Sequence, residues 1–292
     1  MENIKTVPEH LIKINYLHSS PYQTNMPDDV WLYSYIYKDS NWRENQIKKP
    51  IVSAGSSAEL GVLHYFLKEK DNKKAIDAGL KEFKKSKSFY VGGRWQENYE
   101  QVLDEMPQVI MQGIAAFTEL NLDLNNAVSQ EPCQHYLPGI DFPITGKSDF
   151  INDNYVVELK TRWRSPPTVK KLKNGKSPAW RTASIPEKPF GHWLRQVSFY
   201  ALATGKEPIL VCVNDQKYKI YDQHNCSLLQ PERIKIPLKQ FQIKNKVRQN
   251  WLQFSTNPFV LAKIISPDFS SYYWNDLDDH EFEEAVDLWA NI

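Results

Sequence analysis

The period of the hydrophobic pattern changes near residue 120, and this change is what most constrains the fold. Apolar residues recur at helical spacing from a capping-box pattern at Ser56–Glu59 to about Lys85, and again over Tyr99–Leu120, with Gly92-Gly93 as a break. They then alternate with polar residues, which predicts strands at 127–136, 144–151 and 155–161. Later predicted elements are a helix over 191–204 ended by Gly205, a hairpin of 209–213 and 218–221, and a helix over 237–254. The order of elements predicts an α/β (α+β) protein: a central mixed β-sheet flanked by helices, with an N-terminal helical elaboration.

Three segments are expected along the chain. Residues 1–52 are rich in Pro, Tyr and Trp and predict an irregular arm that packs aromatic rings onto the body. Residues 53–256 form the main domain, into which a basic loop at 162–190 is inserted. Residues 257–292 form a C-terminal segment that ends in an acidic tail.

Composition excludes several classes of protein. With 41% hydrophobic and 24% charged residues the chain is globular rather than disordered. Apolar stretches such as Ile209–Val213 are too short to cross a bilayer, and Met1–Lys5 shows no start of a secretory signal. The three cysteines, Cys133, Cys212 and Cys226, cannot by themselves hold an iron–sulfur cluster or form a disulfide framework. We therefore expect a cytoplasmic protein, in a bacterium or a phage-infected cell, with no membrane partner.

Charge is unevenly distributed along a chain whose formal net charge is only +1. Residues 162–181 carry cations and no acid: Arg162, Arg164, Lys170, Lys171, Lys173, Lys176 and Arg181. Residues 275–292 carry acids and no Lys or Arg. Opposite local fields indicate two surfaces with different partners, although a basic run is also commonly a solvated loop.

The strongest chemical signal is an acidic pair beside a lysine. Glu158 and Lys160 follow apolar residues in a predicted strand, where charges are costly to bury unless they are paired or bind a metal. Strand alternation places both side chains on one face. A two-residue loop at Asn152-Asp153 would bring Asp149 diagonal to Glu158, whereas a four-residue loop, 152–155, would pair the two directly.

Two converging carboxylates form a hard-oxygen site suited to Mg²⁺ or Mn²⁺, as one or two ions. A lysine beside them can orient an attacking water and stabilise negative charge on phosphate. The alternative is a simple salt bridge between Glu158 and Lys160 on a half-exposed strand. Gln196 and Tyr200, neighbours at i and i+4 on the predicted helix, and His64 on the first helix complete the set of candidates.

In this order the residues resemble the PD-(D/E)XK nuclease superfamily, specifically its RecB-like and lambda-exonuclease-like branch. The matching motifs are Gly61-Val62-Leu63-His64, Asp149, Glu158-Leu159-Lys160 and Gln196-Val197-Ser198-Phe199-Tyr200. The resemblance spans about residues 53 to 221, and Ser148 stands where the name-giving proline would be. It implies a restriction-endonuclease-like core.

The resemblance also implies roles for single residues. His64, Asp149, Glu158 and the carbonyl of Leu159 would bind the metal, Lys160 would position the attacking water, and Gln196 and Tyr200 would hold the lysine and the DNA backbone. Glu131 is a further acid expected near the site. Since neither a four-cysteine set nor a helicase P-loop is present, we expect no iron–sulfur cluster and no motor.

The position of the basic run favours a role in nucleic-acid binding. It joins the strand of Lys160 to the helix of Gln196, and Trp163 and Trp180 place aromatic rings among its cations, a combination typical of single-strand binding. The sequence thus predicts a metal-dependent DNA exonuclease that acts on ends, most simply single-stranded ones, in replication, recombination or DNA degradation.

Several alternatives remain open at this level. An endonuclease, a catalytically inactive DNA-binding module and a protein–protein adaptor are the competing functions. The acidic tail, with Phe282, Leu288 and Trp289 among its acids, is either a solvated end or a docking motif for a replication or recombination protein.

Overall fold

The computed structural model describes residues 6–93, 95–122, 127–166 and 179–292. The first part of the chain is helical. Its elements are α1 (Glu9–Lys13), α2 (Pro21–Asn25), α3 (Asp28–Trp31), a π-helical segment (Leu32–Tyr37), α4 (Ser40–Asn45), α5 (Pro50–Leu67), α6 (Asn72–Lys84), α7 (Lys87–Tyr90) and α8 (Gln96–Leu120). The fold is thus α+β, with a five-stranded mixed sheet as its second component.

The sheet follows chain order, β1-β2-β3-β4-β5, among the described residues. Its strands and the helix between them are β1 (Val128–His135), β2 (Ile144–Ile151), β3 (Tyr155–Thr161), α9 (Gly191–Thr204), β4 (Glu207–Val213) and β5 (Tyr218–Tyr221). Strand β3 is antiparallel to β2 and parallel to β4, and β4 is antiparallel to β5. Beyond the sheet lie a 3₁₀ turn (Ser227–Leu229), α10 (Lys235–Phe254), α11 (Pro258–Ala262), a second 3₁₀ turn (Tyr272–Asp276) and α12 (Asp279–Ala290).

The hairpin between β2 and β3 has the four-residue loop that was one of the two expected registers. Phe150 pairs with Val157 and Ile151 with Val156, so one rung further Asp149 stands opposite Glu158. The side chain of Asn152 fixes the loop, because its Oδ1 accepts bonds from the amides of the second and third residues after it, at 3.0 and 2.7 Å.

The two faces of β3 and β4 pack against different helices. Val157, Leu159 and Val211 belong to a core that also contains buried residues of α5, α6 and α8. Leu210 and Cys212, on the other face, pack with Val197 and Trp193 of α9. Glu158 and Lys160 alternate with the first set, so they lie on the α9 side of the sheet.

The chain divides into two compact units. The first comprises Met1–Gln46, Pro132–Gly146 and Ile234–Ile292, and the second comprises Ile47–Glu131 and Lys147–Arg233. Helix α10 therefore belongs with the N- and C-terminal segments rather than with the main domain expected from the sequence. Arg248 of α10 is fully buried and donates to Asp28 and to the carbonyls of Gln23 and Met26.

The terminal segments of the first unit are more ordered than the sequence predicted. The arm, expected to be irregular, forms short helices, of which α2 begins with Pro21 and is capped by Ser20. The acidic tail forms α12. Leu288 and Trp289 are buried within this unit, and the indole of Trp289 donates to the carbonyl of Ile265 at 2.8 Å. The tail is therefore not a solvated end, and its two buried apolar side chains are not presented for docking.

Helix α5 begins earlier than the capping pattern indicated. It starts at Pro50 rather than near Ser56, so Glu59 lies in the middle of the helix instead of capping its first turn. Its first residues carry no apolar periodicity, since Ile51 and Val52 are exposed. Within the described ranges, no helix has both the length and the apolar character needed to cross a membrane.

Candidate active site

Asp149 and Glu158 meet at the end of the β2–β3 hairpin. Glu158 is only 1% exposed, and its Oε2 is buried without a hydrogen-bond partner among the described residues. Oδ2 of Asp149 accepts a hydrogen bond from the amide of Leu159 at 2.8 Å. The hairpin register and this backbone contact together fix the two carboxylates beside each other.

Lys160 connects this acidic pair to helix α9. Its Nζ donates to Oε1 of Glu158 and, at 2.8 Å, to Oε1 of Gln196. The amide of Gln196 in turn donates to the hydroxyl of Tyr200 at 3.2 Å. The motif residues predicted from β3 and α9 thus form one continuous hydrogen-bonded chain, which holds the lysine ammonium in a defined position.

Glu59 is a third carboxylate at this site, and the sequence did not reveal it. Its side chain accepts a hydrogen bond from the side-chain amide of Gln130 in β1. It also interacts with Asp149, and the charge of Glu59 helps to raise the pKa of that carboxyl group. Gln130 itself has a left-handed backbone with φ of 54° in a strand, a conformation that is rare outside glycine.

The electrostatics of the cluster reflect three acids around one lysine. Burial raises the pKa of Asp149 to about 8, with the charge of Glu59 adding to the shift. Burial likewise raises the pKa of Glu158 to about 8, with Asp149 adding, and the pKa of Glu59 to about 7. Burial alone would lower the pKa of Lys160, but Glu158 and Asp149 outweigh it and raise that pKa. The lysine therefore stays charged, and the three acids hold their protons to a higher pH than ordinary carboxyl groups do.

His64 lies elsewhere on α5. It is five residues from Glu59, which places the two side chains about 140° apart around the helix. Its ring Nδ1 is buried without a hydrogen-bond partner in the described part of the chain. Gly61, the other motif residue, has a packing role: a Cβ there would lie 2.7 Å from Ile110 Cδ1 and 2.9 Å from the carbonyl of Ala75.

Whether this site suits a divalent metal depends on its donors. Among the described residues, no group of three or more His, Cys, Asp or Glu side chains is arranged to hold a metal ion. Glu59, Asp149 and Glu158 instead accept hydrogen bonds from the side-chain amide of Gln130, the backbone amide of Leu159 and the Lys160 ammonium, respectively. The donor chemistry nevertheless fits Mg²⁺ or Mn²⁺, since the acidic donors are all oxygens, three acids stand around one lysine, and Oε2 of Glu158 has no hydrogen-bond partner among the described residues.

The basic segment is described only at its two ends. Lys170, Lys171, Lys173 and Lys176 lie outside the described residues. Ser165 and Arg181 exchange backbone hydrogen bonds of 2.9 Å in both directions, which closes the base of the segment. Arg164 forms an ion pair with Asp215 at 2.6 Å. Trp180 is half-buried and Arg181 is exposed.

Trp163 does not have the exposed position expected of a stacking residue. It is 7% exposed, belongs to the main core and donates through its indole to the hydroxyl of Thr161 at 3.0 Å. Trp163 is adjacent to cations in the sequence because a core residue lies beside the basic loop, and not because its ring belongs to a binding surface. Glu131, the other acid expected near the site, is exposed, whereas its neighbour Gln130 contacts Glu59.

Comparisons with known proteins give little beyond this geometry. No family model and no curated protein matches the sequence. A solved structure described as "Crystal structure of SSO0001" is similar, with 16% sequence identity and a TM-score of 0.30. The match covers 64% of this chain and 78% of that one. At this level the likeness does not identify the site or its activity.

Proposed function

We propose that this chain is a divalent-metal-dependent deoxyribonuclease that hydrolyses phosphodiester bonds at DNA ends. The observation that carries the proposal is the hydrogen-bonded chain from Glu158 through Lys160 and Gln196 to Tyr200, beside the carboxylates of Asp149 and Glu59. The sequence order of these residues resembles the PD-(D/E)XK nucleases, which supports the same reaction. The proposal includes that the sheet and its flanking helices form a restriction-endonuclease-like core.

The charge balance of the cluster favours a metal site over a structural salt bridge. Three acids, Glu158, Asp149 and Glu59, act on Lys160, and Oε2 of Glu158 is buried with no hydrogen-bond partner among the described residues. Ionising all three acids at this buried position is unfavourable unless a further cation neutralises them.

Each residue then has a definable task. Asp149, Glu158 and Glu59 would hold the metal, and binding would favour the ionised forms of these acids. When bound, Mg²⁺ or Mn²⁺ would act as a Lewis acid on the phosphate and promote deprotonation of water. The Lys160 ammonium orients the attacking water and stabilises negative charge on the phosphate oxygens.

The remaining motif residues act as positioning residues. Gln196 fixes the lysine through its side-chain oxygen, and Tyr200 fixes the side-chain amide of Gln196.

In the reaction, water adds to phosphorus while the bond to the 3′ oxygen breaks, which leaves a 5′-phosphate and a 3′-hydroxyl. The proton lost by water ends on the leaving oxygen, directly or through solvent.

A cleavage assay tests this proposal. End-labelled linear and closed circular DNA, each single- and double-stranded, are incubated with Mg²⁺, Mn²⁺ or EDTA. We expect short products from linear DNA with metal only, and none from Lys160→Ala. Lys219→Ala, which changes a half-buried lysine of the same sheet that is paired with Glu187, is the matched control and should remain active.

The same assay separates the competing functions. Cleaved circles would indicate an endonuclease on this site. Binding without hydrolysis by the wild-type protein in either metal would indicate an inactive DNA-binding module and would contradict the proposed enzyme.

A further inference from the structure

An exposed aromatic pair lies at the start of α9, close to Lys160. Phe190 is 37% exposed, and its ring stacks on that of His192 with centroids 5.7 Å apart and planes 12° apart. The buried Trp193 contacts the Phe190 ring edge-on at 4.6 Å and supports it from the core side. The pair is therefore held rigidly while part of its surface faces solvent.

Cations surround this pair. The guanidinium of Arg162 lies 5.4 Å from the centre of the Phe190 ring, and its Nε is buried without a hydrogen-bond partner among the described residues. The positive charges of Lys160, Arg195 and Arg162 all act on His192, whose pKa is lowered by burial first and by these charges next. Exposed rings among cations form a surface that binds both bases and phosphates.

The aromatic pair continues the candidate active site rather than lying apart from it. On α9, His192, Gln196 and Tyr200 follow one another at intervals of four residues, which places them on one face. On the strand side, Arg162 is two residues beyond Lys160 and extends the pairing with β4 through its amide, which donates to the carbonyl of Val213 at 2.8 Å. The surface thus runs from Lys160 to the aromatic pair along one face of α9.

We propose that Phe190, His192, Arg162 and Arg195 form a subsite for one unpaired nucleotide next to the bond that is cleaved. The base stacks on the aromatic pair, and the adjoining phosphate binds the two arginines. A base inside a duplex is covered on both faces by its neighbours, whereas an unpaired base can turn its flat face to such a pair, so the subsite favours a single strand over the interior of a duplex. The inference rests on the proposed nuclease function and adds its substrate class.

Binding measurements on variants test the subsite. The dissociation constant of a fluorescein-labelled single strand of about 12 nucleotides is measured by anisotropy in Ca²⁺, a cation with looser coordination geometry than Mg²⁺. We expect Phe190→Ala to weaken binding about tenfold, the loss of one stacked base, and Phe190→Tyr to retain it. Phe89→Ala, which removes another exposed phenyl ring of the same unit, is the control and should bind as the wild type does.

A strand with a single abasic position shows whether the ring contacts a base. When the abasic position is moved along the strand, one placement should weaken binding by the wild-type protein about tenfold. The same strand should bind the Phe190→Ala variant as well as the intact strand does, because the stacking contact is already lost. If the protein cleaves DNA but Phe190→Ala binds every strand as well as the wild type does, the subsite is wrong and the nuclease proposal stands. If the wild-type protein neither binds nor cleaves DNA, both are wrong.

Discussion

Lys160 donates a hydrogen bond of 2.8 Å to Oε1 of Gln196, and this bond joins strand β3 to helix α9 at the candidate active site. A lysine side chain has several rotatable bonds, so its ammonium group needs fixed acceptors to be useful in catalysis. Glu158 supplies one acceptor from the same strand, and Gln196 supplies the second from the facing helix. The position of the Lys160 ammonium therefore depends on how α9 packs on the sheet.

Gln196→Leu is expected to lower kcat by one to two orders of magnitude, with little change in KM, because a hydrogen bond to a charged group contributes about 1.5–3 kcal/mol. Steady-state kinetics on linear single-stranded DNA measure this. Gln216→Leu replaces an exposed glutamine of the same unit and should retain wild-type rates. Equal kcat for Gln196→Leu and wild type would show that Gln196 does not position the lysine.

Glu59→Gln is expected to weaken Mn²⁺ binding by at least about tenfold, because it removes one anionic oxygen donor from the cluster. His64→Ala should change Mn²⁺ affinity little, since His64 lies on another side of α5. Isothermal titration calorimetry measures both. The opposite result, with His64 essential and Glu59 dispensable, would restore the ligand set that the motif resemblance implied.

The stability of the metal-free protein should fall as pH rises from about 4 to about 8. Asp149, Glu158 and Glu59 have raised pKa values, to about 8, 8 and 7, so each binds its proton more tightly in the folded chain than in the unfolded one. This contribution is fully present below the unfolded-state values and is lost as pH passes the folded-state values.

Melting temperatures measured across this pH range in EDTA test the prediction. Glu158→Gln should reduce the fall, whereas Glu232→Gln, at an exposed position of the same unit, should leave it unchanged. Adding Mg²⁺ should raise the wild-type melting temperature more at pH 8 than at pH 5. A fall of equal size in Glu158→Gln would contradict the assigned cause.

Gly61→Ala is expected to destabilise the protein by about 1–3 kcal/mol, because the added methyl group would overlap Ile110 and the backbone of Ala75. Chemical denaturation measures the free energy of unfolding. Gly93→Ala is the control, since the nearest atom to its new Cβ would be 3.6 Å away. Loss of activity without loss of stability would instead give Gly61 a role in the site itself.

Local patterns in the sequence were sufficient for much of the fold and for part of the site. The period-2 alternation and the Asn152 turn placed β2 and β3, and one of the two registers that they allowed is the observed one. The spacing of Gln196 and Tyr200 was sufficient to place both on one helical face. These features depend on residues close together in the chain, which is why they could be predicted.

What the sequence missed depends on contacts between distant residues. Glu59 fitted the pattern of a helix cap, so its position in the sequence gave no reason to expect another role. Its hydrogen-bond partner, Gln130, is 71 residues away. Trp163 had cations on both sides, yet its own side chain packs in the core. Neighbouring residues in the sequence do not determine where α5 begins or what surrounds Trp163, because tertiary packing decides both.

The most direct test of the metal site is anomalous diffraction from crystals of the protein soaked in Mn²⁺. A bound ion at the carboxylates of Asp149 and Glu158, with Glu59 as a further ligand and the Lys160 ammonium nearby, is the predicted result. Crystals in which Mn²⁺ binds only elsewhere, while Lys160 still bridges Glu158 and Gln196, would contradict it.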